Sequence, residues 1–243
     1  MKILYILHYG YNPKKIFYNK KTKKLRKIIR DGGTNIHVNL IENFYKKNYP
    51  ITISTFKNNY QLLAFFGNKK INIDTFWIPK NFYNFFIDNI YKAIILPFRV
   101  FIKKYDYEIL ISATDFLPDV IYSFLIKLKN PQIKWVASFF LKAPSPFLHR
   151  NPYKVGVIPF IKGFIYWFFQ LFSCLLIKLK SDIILVTSSP DVKRFISNKR
   201  GEENIVIVKG GINIRASERA INNKRLLKVE KRRYDAVLCL TLI

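Results

Sequence analysis

Short apolar runs alternate along this chain with stretches whose apolar residues recur at helical spacing. Runs rich in Val, Ile and Leu are typical of strands buried on both faces of a parallel sheet, and helical spacing predicts amphipathic helices. The predicted strands are 2–7, 51–56, 74–78, 108–113, 134–140, 182–187 and 204–208, and the predicted helices include 35–47, 85–102 and 120–127. This alternation predicts an α/β fold with a Rossmann-like, doubly wound, mostly parallel sheet that binds ligands at the carboxyl ends of its strands.

Two helical stretches carry further expectations. Residues 85–102 mix charged and apolar side chains, which predicts an amphipathic helix that either bends at Pro97 or begins near it. Residues 163–177 are uncharged, include Trp167 and have lysines on both sides. At about 1.5 Å per residue this stretch covers about 22 Å, short of a bilayer core of about 30 Å, so we do not expect it to span a membrane unaided. Two alternatives fit this stretch: a helix lying in the membrane interface, or a helix buried against the sheet or against a missing domain.

The segment Asp31-Gly32-Gly33-Thr34 stands between the first predicted strand and the first predicted helix. Glycines without a Cβ allow the backbone to approach a ligand, and the helix that follows offers unpaired N–H groups to an anion such as a diphosphate. Thr34 and Asp31 are both candidate N-caps of that helix. The alternative is that the glycine pair only makes a turn into the helix.

Charge is strongly unbalanced, with 42 Lys and Arg against 15 Asp and Glu and a formal net charge of +27. Such a balance predicts attraction to phosphate-rich partners, although A/T-rich codons would also enrich lysine. The segment 14–30 is basic without any acidic residue, which indicates either a solvated loop or a contact with an anionic membrane surface. The residues predicted to contact the membrane are Lys20, Lys21, Lys23, Lys24 and Trp167.

Cysteine and histidine usage points to no metal and no exported protein. Cys174 and Cys239 are far apart in apolar settings, which favours neither a disulfide framework nor a metal site. The first residues resemble a strand and not a cleavable leader, so we expect a cytoplasmic protein. His8, His37 and His149 lack an evident partner and are interpreted as surface or packing residues, so no catalytic base is assigned.

The order of these elements, followed by Val208-Lys209-Gly210-Gly211-Ile212-Asn213 and Tyr234-Asp235-Ala236-Val237, resembles the N-terminal half of GT-B glycosyltransferases of the family 4 type. The resemblance covers about residues 1–240. It implies an acceptor-binding domain at 1–214, a charged linker at 215–233 and the stub of a donor-binding domain at 234–243.

The resemblance also implies site residues. The family's glycine-rich loop approaches the donor diphosphate, which places Gly32, Gly33 and Thr34 at that position. Its Asn-Gly-hydrophobic-Asp segment corresponds to a cleft or hinge at Gly210, Gly211 and Asn213, with glycine for the usual Asn and Asn213 for the usual Asp. The His that many members carry after the fifth strand has no counterpart in 139–144. Candidate acceptor contacts are the residues that follow the fourth and fifth predicted strands, namely Thr114, Asp115 and Lys142.

The resulting hypothesis is one half of a glycosyltransferase, inactive alone, at the inner face of the cell membrane. The family's paired glutamates and its phosphate clamp belong to the donor domain, so a separate C-terminal half is an expected partner. The other expected partners are a nucleotide sugar, a glycan or lipid-linked acceptor and an anionic membrane, with neither a metal nor a cofactor. One alternative is a non-catalytic membrane-binding module. Nucleic-acid binding fits the charge but lacks a recognition motif.

Overall fold

A computed structural model describes residues 1–8, 32–56, 71–76, 85–148, 156–198 and 200–208. Helices alternate with strands throughout these ranges, as the hydrophobic pattern predicts. The strands are β1 (Ile3–Ile6), β2 (Ile51–Phe56), β3 (Asn72–Phe76), β4 (Ile109–Ser112), β5 (Lys134–Phe139), β6 (Ile183–Val186) and β7 (Ile205–Ile207). The helices are α1 (Gly32–Lys46), α2 (Phe85–Ile102), α3 (Leu117–Lys129), α4 (Val157–Lys180) and α5 (Ser189–Phe195), and a 3₁₀ turn (Glu202–Asn204) precedes β7.

The strands of the described residues form one seven-stranded sheet in the order β3-β2-β1-β4-β5-β6-β7. Every neighbouring pair is parallel, with Ile3 of β1 opposite both Ile51 of β2 and Ile109 of β4. The chain winds outward from β1 in one direction and from β4 in the other. The architecture is a Rossmann-like α/β domain, which confirms the predicted fold class.

Both faces of the sheet are covered, which explains why the strands lack polar alternation. On β1, Leu4 and Ile6 join a large core with residues of α2, α3, α4 and α5. Ile3 and Tyr5 point the other way and pack with Ile41 of α1. The sheet therefore carries α1 on one face and the other four described helices on the opposite face.

Two predicted helix boundaries differ from the structure. The helix α1 begins at Gly32, so the glycine pair forms its first turn and Thr34 lies inside the helix. The prediction of Thr34 as N-cap is therefore wrong, and Asp31 lies outside the described residues. The helix α2 runs unbroken through Pro97, so the prediction that the helix begins near this proline is wrong as well.

The helix α4 is longer than the uncharged stretch within it. Its 24 residues extend about 36 Å at 1.5 Å per residue. The expectation that this helix is too short for a bilayer core, which is based on residues 163–177 alone, is therefore wrong. Within the described ranges α4 alone passes a test of length and apolar composition for a membrane span, with 28% of its most apolar window buried. One of its faces, with Gly163, Gln170 and Ile177, is nevertheless buried in the domain.

Two lysines at the end of α3 fix it to its neighbours. The Lys129 ammonium donates to the carbonyls of Val100, Phe101 and Lys103 at 2.7–3.0 Å, which satisfies the exposed carbonyls where α2 ends. The Lys127 ammonium pairs with Asp182 at 2.8 Å, just before β6. These bonds hold α2, α3 and the sheet in one layered unit.

Candidate functional site

The topological switch point of the sheet lies between β1 and β4. Chain segments that leave the carboxyl ends of these two strands diverge, and the crevice between them is where open parallel sheets bind ligands. His8 follows β1 by two residues, Thr114 follows β4 by two residues, and Asp119 lies in the first turn of α3. The structure therefore brings a histidine, a threonine and an aspartate together at this edge.

Asp119 is the centre of a buried polar network. One of its carboxylate oxygens accepts a hydrogen bond from the backbone N–H of His8 at 2.8 Å, and the other accepts one from the Thr114 hydroxyl at 2.6 Å. The His8 ring places Nδ1 3.5 Å from the same carboxylate and Nε2 3.3 Å from Ser54 Oγ. One side chain thus joins the ends of β1 and β4 to the start of α3.

Burial controls the charge of this network. Because Asp119 is fully buried, its pKa rises to about 7, against the opposing effect of its hydrogen bonds from Thr114 and His8. Burial, with help from the nearby charges of Lys92 and Arg99, holds the pKa of His8 well below its usual range. Near neutral pH the imidazole is therefore uncharged, and the carboxyl is close to its titration midpoint.

The ring of His8 is enclosed by aromatic side chains. It lies 5.1 Å from the ring of Phe56 and 4.9 Å from that of Tyr122, centroid to centroid, and the residue is 1% exposed. A residue so enclosed holds the end of β1 in place. The expectation that His8 is a packing residue agrees with this arrangement, whereas its bond to Asp119 was not foreseen.

A second polar cluster lies beside the first. The Gln170 amide of α4 donates to Asp115 at 2.6 Å and to the carbonyl of Leu141 at 2.5 Å, and it accepts from the N–H of Ala143 at 2.6 Å. Burial raises the pKa of Asp115 to about 6, against the hydrogen bond from Gln170. Gln170 thereby fixes the loops that follow β4 and β5 to one helix.

The space next to Asp115 is small. A cavity of about 10 Å³ lies there, lined by Asn89, Asp115, Phe116, Leu117, Tyr166, Phe169 and Gln170. Its volume suits about one water molecule. Within the described residues no group of three or more His, Cys, Asp or Glu side chains could hold a metal ion.

Substituting Gln170 by leucine tests how much this cluster stabilises the domain. Two buried polar groups, on Asp115 and Ala143, and the partly buried carbonyl of Leu141 would lose their partner. We therefore expect the free energy of unfolding to fall by about 2–4 kcal/mol in urea titrations. The matched control is Ser173→Ala on the same buried face of α4, because the Ser173 hydroxyl has no hydrogen-bond partner among the described residues. That change should not lower stability, because it removes a buried hydroxyl that lacks a partner; equal losses in both variants would contradict the assigned role of Gln170.

The start of α1 is attached to the same edge of the sheet. His37, in the second turn of α1, places Nδ1 2.8 Å from the Tyr5 hydroxyl of β1. Its ring lies 5.5 Å from that of Phe140, the residue directly after β5. The N-terminal turn of α1, with Gly32 and Gly33, therefore begins beside the carboxyl edge that carries the switch point.

The structure describes only some of the predicted site residues. Thr114 and Asp115 are buried and hydrogen-bonded at the carboxyl edge, whereas Lys142 is exposed after β5. Trp167 is half-buried on α4. The predicted cleft or hinge residues Gly210, Gly211 and Asn213, the linker and stub at 215–243, and the predicted membrane contacts Lys20, Lys21, Lys23 and Lys24 lie outside the described residues.

Sequence inspection missed Asp119 and Gln170. Asp119 follows Pro118 at the start of a helix, and an acidic residue in a first helical turn is ordinary capping chemistry. Gln170 sits in the middle of an apolar helix, where a single polar residue is a usable signal for a buried partner. That signal is the one clue that would have located the second cluster.

Comparison with known proteins gives only remote similarities. No family model matches the chain, and no curated protein matches it. Among solved structures it resembles HepE from Anabaena with UDP-glucose, at 11% identity and a TM-score of 0.47 over 88% of this chain and 45% of that one. It also resembles HepE with UDP and glucose (13%, TM-score 0.44, 88% and 46%).

A further solved structure in this group is the UDP-GlcNAc 2-epimerase from Neisseria meningitidis bound to UDP-GlcNAc. The identity is 10% and the TM-score 0.46, over 85% of this chain and 45% of that one. The chain spans less than half the length of these solved structures.

Proposed function

We propose that this chain is the acceptor-binding half of a glycosyltransferase that moves a sugar from a nucleotide-diphospho-sugar to a lipid-linked or polysaccharide acceptor. One observation carries the proposal: the switch point between β1 and β4 and the N-terminal turn of α1 share one edge of the sheet. Open parallel sheets bind ligands at the switch point, and a helix N-terminus attracts a phosphate group. A sugar joined to a diphosphate satisfies both features.

Each part of this edge then has a role. Gly32 and Gly33 allow the donor diphosphate to approach the backbone at the start of α1. The acceptor lies along the ends of β4 and β5, where Lys142 is the exposed member of the three candidate acceptor contacts. Thr114 and Asp115 hold the shape of this edge through their bonds to Asp119 and Gln170.

Sugar transfer requires a second domain facing this edge. In-line attack and stabilisation of the developing charge need groups on both sides of the transferred sugar. We therefore propose that a donor-binding half completes the enzyme, on the same or another chain, and that residues 1–243 alone transfer little or no sugar. The proposed place of action is the inner face of the cell membrane, with the lysine segment at 14–30 and Trp167 as contacts.

A transfer assay tests the function. The chain would be assayed alone and together with the protein encoded by the reading frames that follow its own codons in the genome. Release of the nucleoside diphosphate from UDP-, GDP- and dTDP-sugars is measured with and without a lipid extract as acceptor. We expect acceptor-dependent release only from the combination; its absence with every sugar and every downstream frame would overturn the proposal.

The second candidate is a membrane-binding module without catalysis. A specific observation favours it, because large apolar side chains on two helices are exposed, among them Phe98 at 66% and Phe168 at 54%. Vesicle binding with no nucleoside diphosphate release from any combination would select this candidate over the transferase.

A further inference from the structure

The helix α2 is apolar on two faces, because Leu96 and Val100 lie in the core and a second apolar stripe points outward, while its charged side chains form ion pairs within the domain. Lys92 pairs with Asp88 at 2.5 Å and lies over the ring of Phe56, and Arg99 pairs with Asp74 at 2.5 Å. The outward stripe repeats every three or four residues and consists of Ile87, Ile90, Ile94, Phe98 and Phe101, exposed by 41–73%. A helix facing water carries the opposite pattern.

The helix α4 shows the same arrangement. Its buried face contains the polar side chains of Gln170 and Ser173. The large apolar side chains of its outward face are Phe164, Phe168, Leu171, Phe172, Leu175 and Leu179, exposed by 38–60%. The loop before α4 extends this face, because the ring of Phe147, itself 67% exposed, lies 5.8–6.4 Å from those of Phe160, Phe164 and Trp167.

The two stripes belong to one surface, called here the α2–α4 face. Both helices pack against α3 on the same side of the sheet, and they also contact each other directly. Soluble monomers rarely expose apolar surface of this extent, and such a surface marks a contact with a protein or a membrane.

Charge around the α2–α4 face identifies the occupant. Between Val120 and Ser181 the sequence has lysines and an arginine but no aspartate or glutamate. Lysines follow α2 and flank the apolar stretch of α4, namely Lys103, Lys104, Lys162, Lys178 and Lys180. The α4 half of the face is thus bordered by lysines without acidic residues, whereas on the α2 side Lys103 pairs with Asp74 and Asp106 is exposed. The α4 half complements an anionic lipid surface, in which acyl chains meet negatively charged headgroups.

We infer that the α2–α4 face docks on the surface of an anionic phospholipid bilayer. The helix α4 lies along the interface and does not cross the membrane, since its other face is packed on α3 and bonded through Gln170 to the loops after β4 and β5. Phe147, after β5, then holds the carboxyl edge of the sheet close to the lipid. The inference assigns a surface to the proposed membrane location and does not require transferase activity.

The experiment is sedimentation of the full chain with two kinds of vesicle. One kind contains phosphatidylcholine alone, and the other also contains about 30% phosphatidylglycerol, whose negative headgroups attract basic residues. The variant is the double substitution Phe98→Gln and Phe168→Gln, at two exposed positions whose change should leave the fold intact. The matched control is Ile196→Gln, which is 45% exposed at the end of α5 and outside the face. We expect the double variant to bind the anionic vesicles at least about tenfold more weakly, and the control to bind them like the parent chain.

Three results would overturn the inference. Equal vesicle binding by the parent chain and the double variant would show that the α2–α4 face does not contact the membrane. Loss of binding only when Lys20, Lys21, Lys23 and Lys24 are replaced by glutamine would assign the contact to the basic segment. A dimer in gel filtration that the double variant abolishes would show that a second copy covers the face. Gly33→Val should leave vesicle binding unchanged, because Gly33 lies outside the face. Vesicle binding and sugar transfer are therefore tested independently, and the failure of one proposal does not decide the other.

Discussion

Replacing Asp119 with alanine is expected to lower the free energy of unfolding by about 3–5 kcal/mol. The change removes the acceptor for two buried donors, the backbone N–H of His8 and the hydroxyl of Thr114. Each donor left without a partner costs about 1–3 kcal/mol, and the lost carboxyl leaves space in a packed region. Urea titration followed by tryptophan fluorescence measures the effect, because Trp135 is fully buried in the core.

An exposed aspartate supplies the control. Asp106 has a side chain that is 92% exposed and pairs with Lys2 at 2.5 Å, and surface pairs of this kind contribute little. Asp106→Ala should therefore change stability by less than about 0.5 kcal/mol. A loss below about 1 kcal/mol in Asp119→Ala would show that the buried network does not hold the switch point together.

Asp119→Asn separates the carboxyl's charge from its shape. The pKa of Asp119 is about 7 in the folded chain and about 3.9 in an unfolded one, so between these values the folded state holds a proton that the unfolded state has released. The contribution of Asp119 to stability consequently falls as the pH rises from about 4 to about 7 and is constant outside that window. Asparagine has no such proton, so its stability relative to the parent should improve across the window. A pH-independent difference would contradict the raised pKa.

The sequence allows most of the strands and helices to be predicted, because buried strands and amphipathic helices leave local periodic patterns. The predicted strand 51–56 and helix 85–102 coincide with β2 and α2. What periodicity leaves undetermined is which face of a helix points inward. The charges of α2 share one side, which predicts a face turned to water, but Asp74 and the ring of Phe56 provide partners for them inside the domain.

The candidate site is harder to predict for a related reason. His8 and Asp119 are separated by 111 positions, and only the placement of β4 beside β1 brings them together. Neither residue has an unusual local context: one follows an apolar strand, and the other follows a proline at a helix start. Contacts between loops at a switch point depend on strand order, which local spacing does not encode. Gly32 and Gly33 are recognisable because glycine pairs are locally distinctive.

In the proposed transferase, completed by its donor-binding half, Gly33→Val is expected to lower sugar transfer about a hundredfold or more. A branched side chain in the first turn of α1 would keep the diphosphate from the backbone N–H groups there, and hydrogen bonds to a charged group are worth about 1.5–3 kcal/mol each. Two such bonds correspond to a factor of about 10² to 10⁴. The measurement is acceptor-dependent release of the nucleoside diphosphate at saturating acceptor, with Gly33→Ala expected to lose less because it adds only one methyl group.

A loss of activity in this variant is informative when the variant unfolds at the same urea concentration as the parent. Valine is a better helix former than glycine by a few tenths of a kcal/mol, so helix propensity does not weaken α1. Gly156→Val is the matched control at the N-terminus of α4, where an added Cβ meets only the Pro159 side chain at an ordinary 3.7 Å. Both variants should unfold at the same urea concentration as the parent. Full activity in Gly33→Val would mean that the diphosphate binds elsewhere, and the alternative that the glycine pair only makes the turn into α1 would then stand.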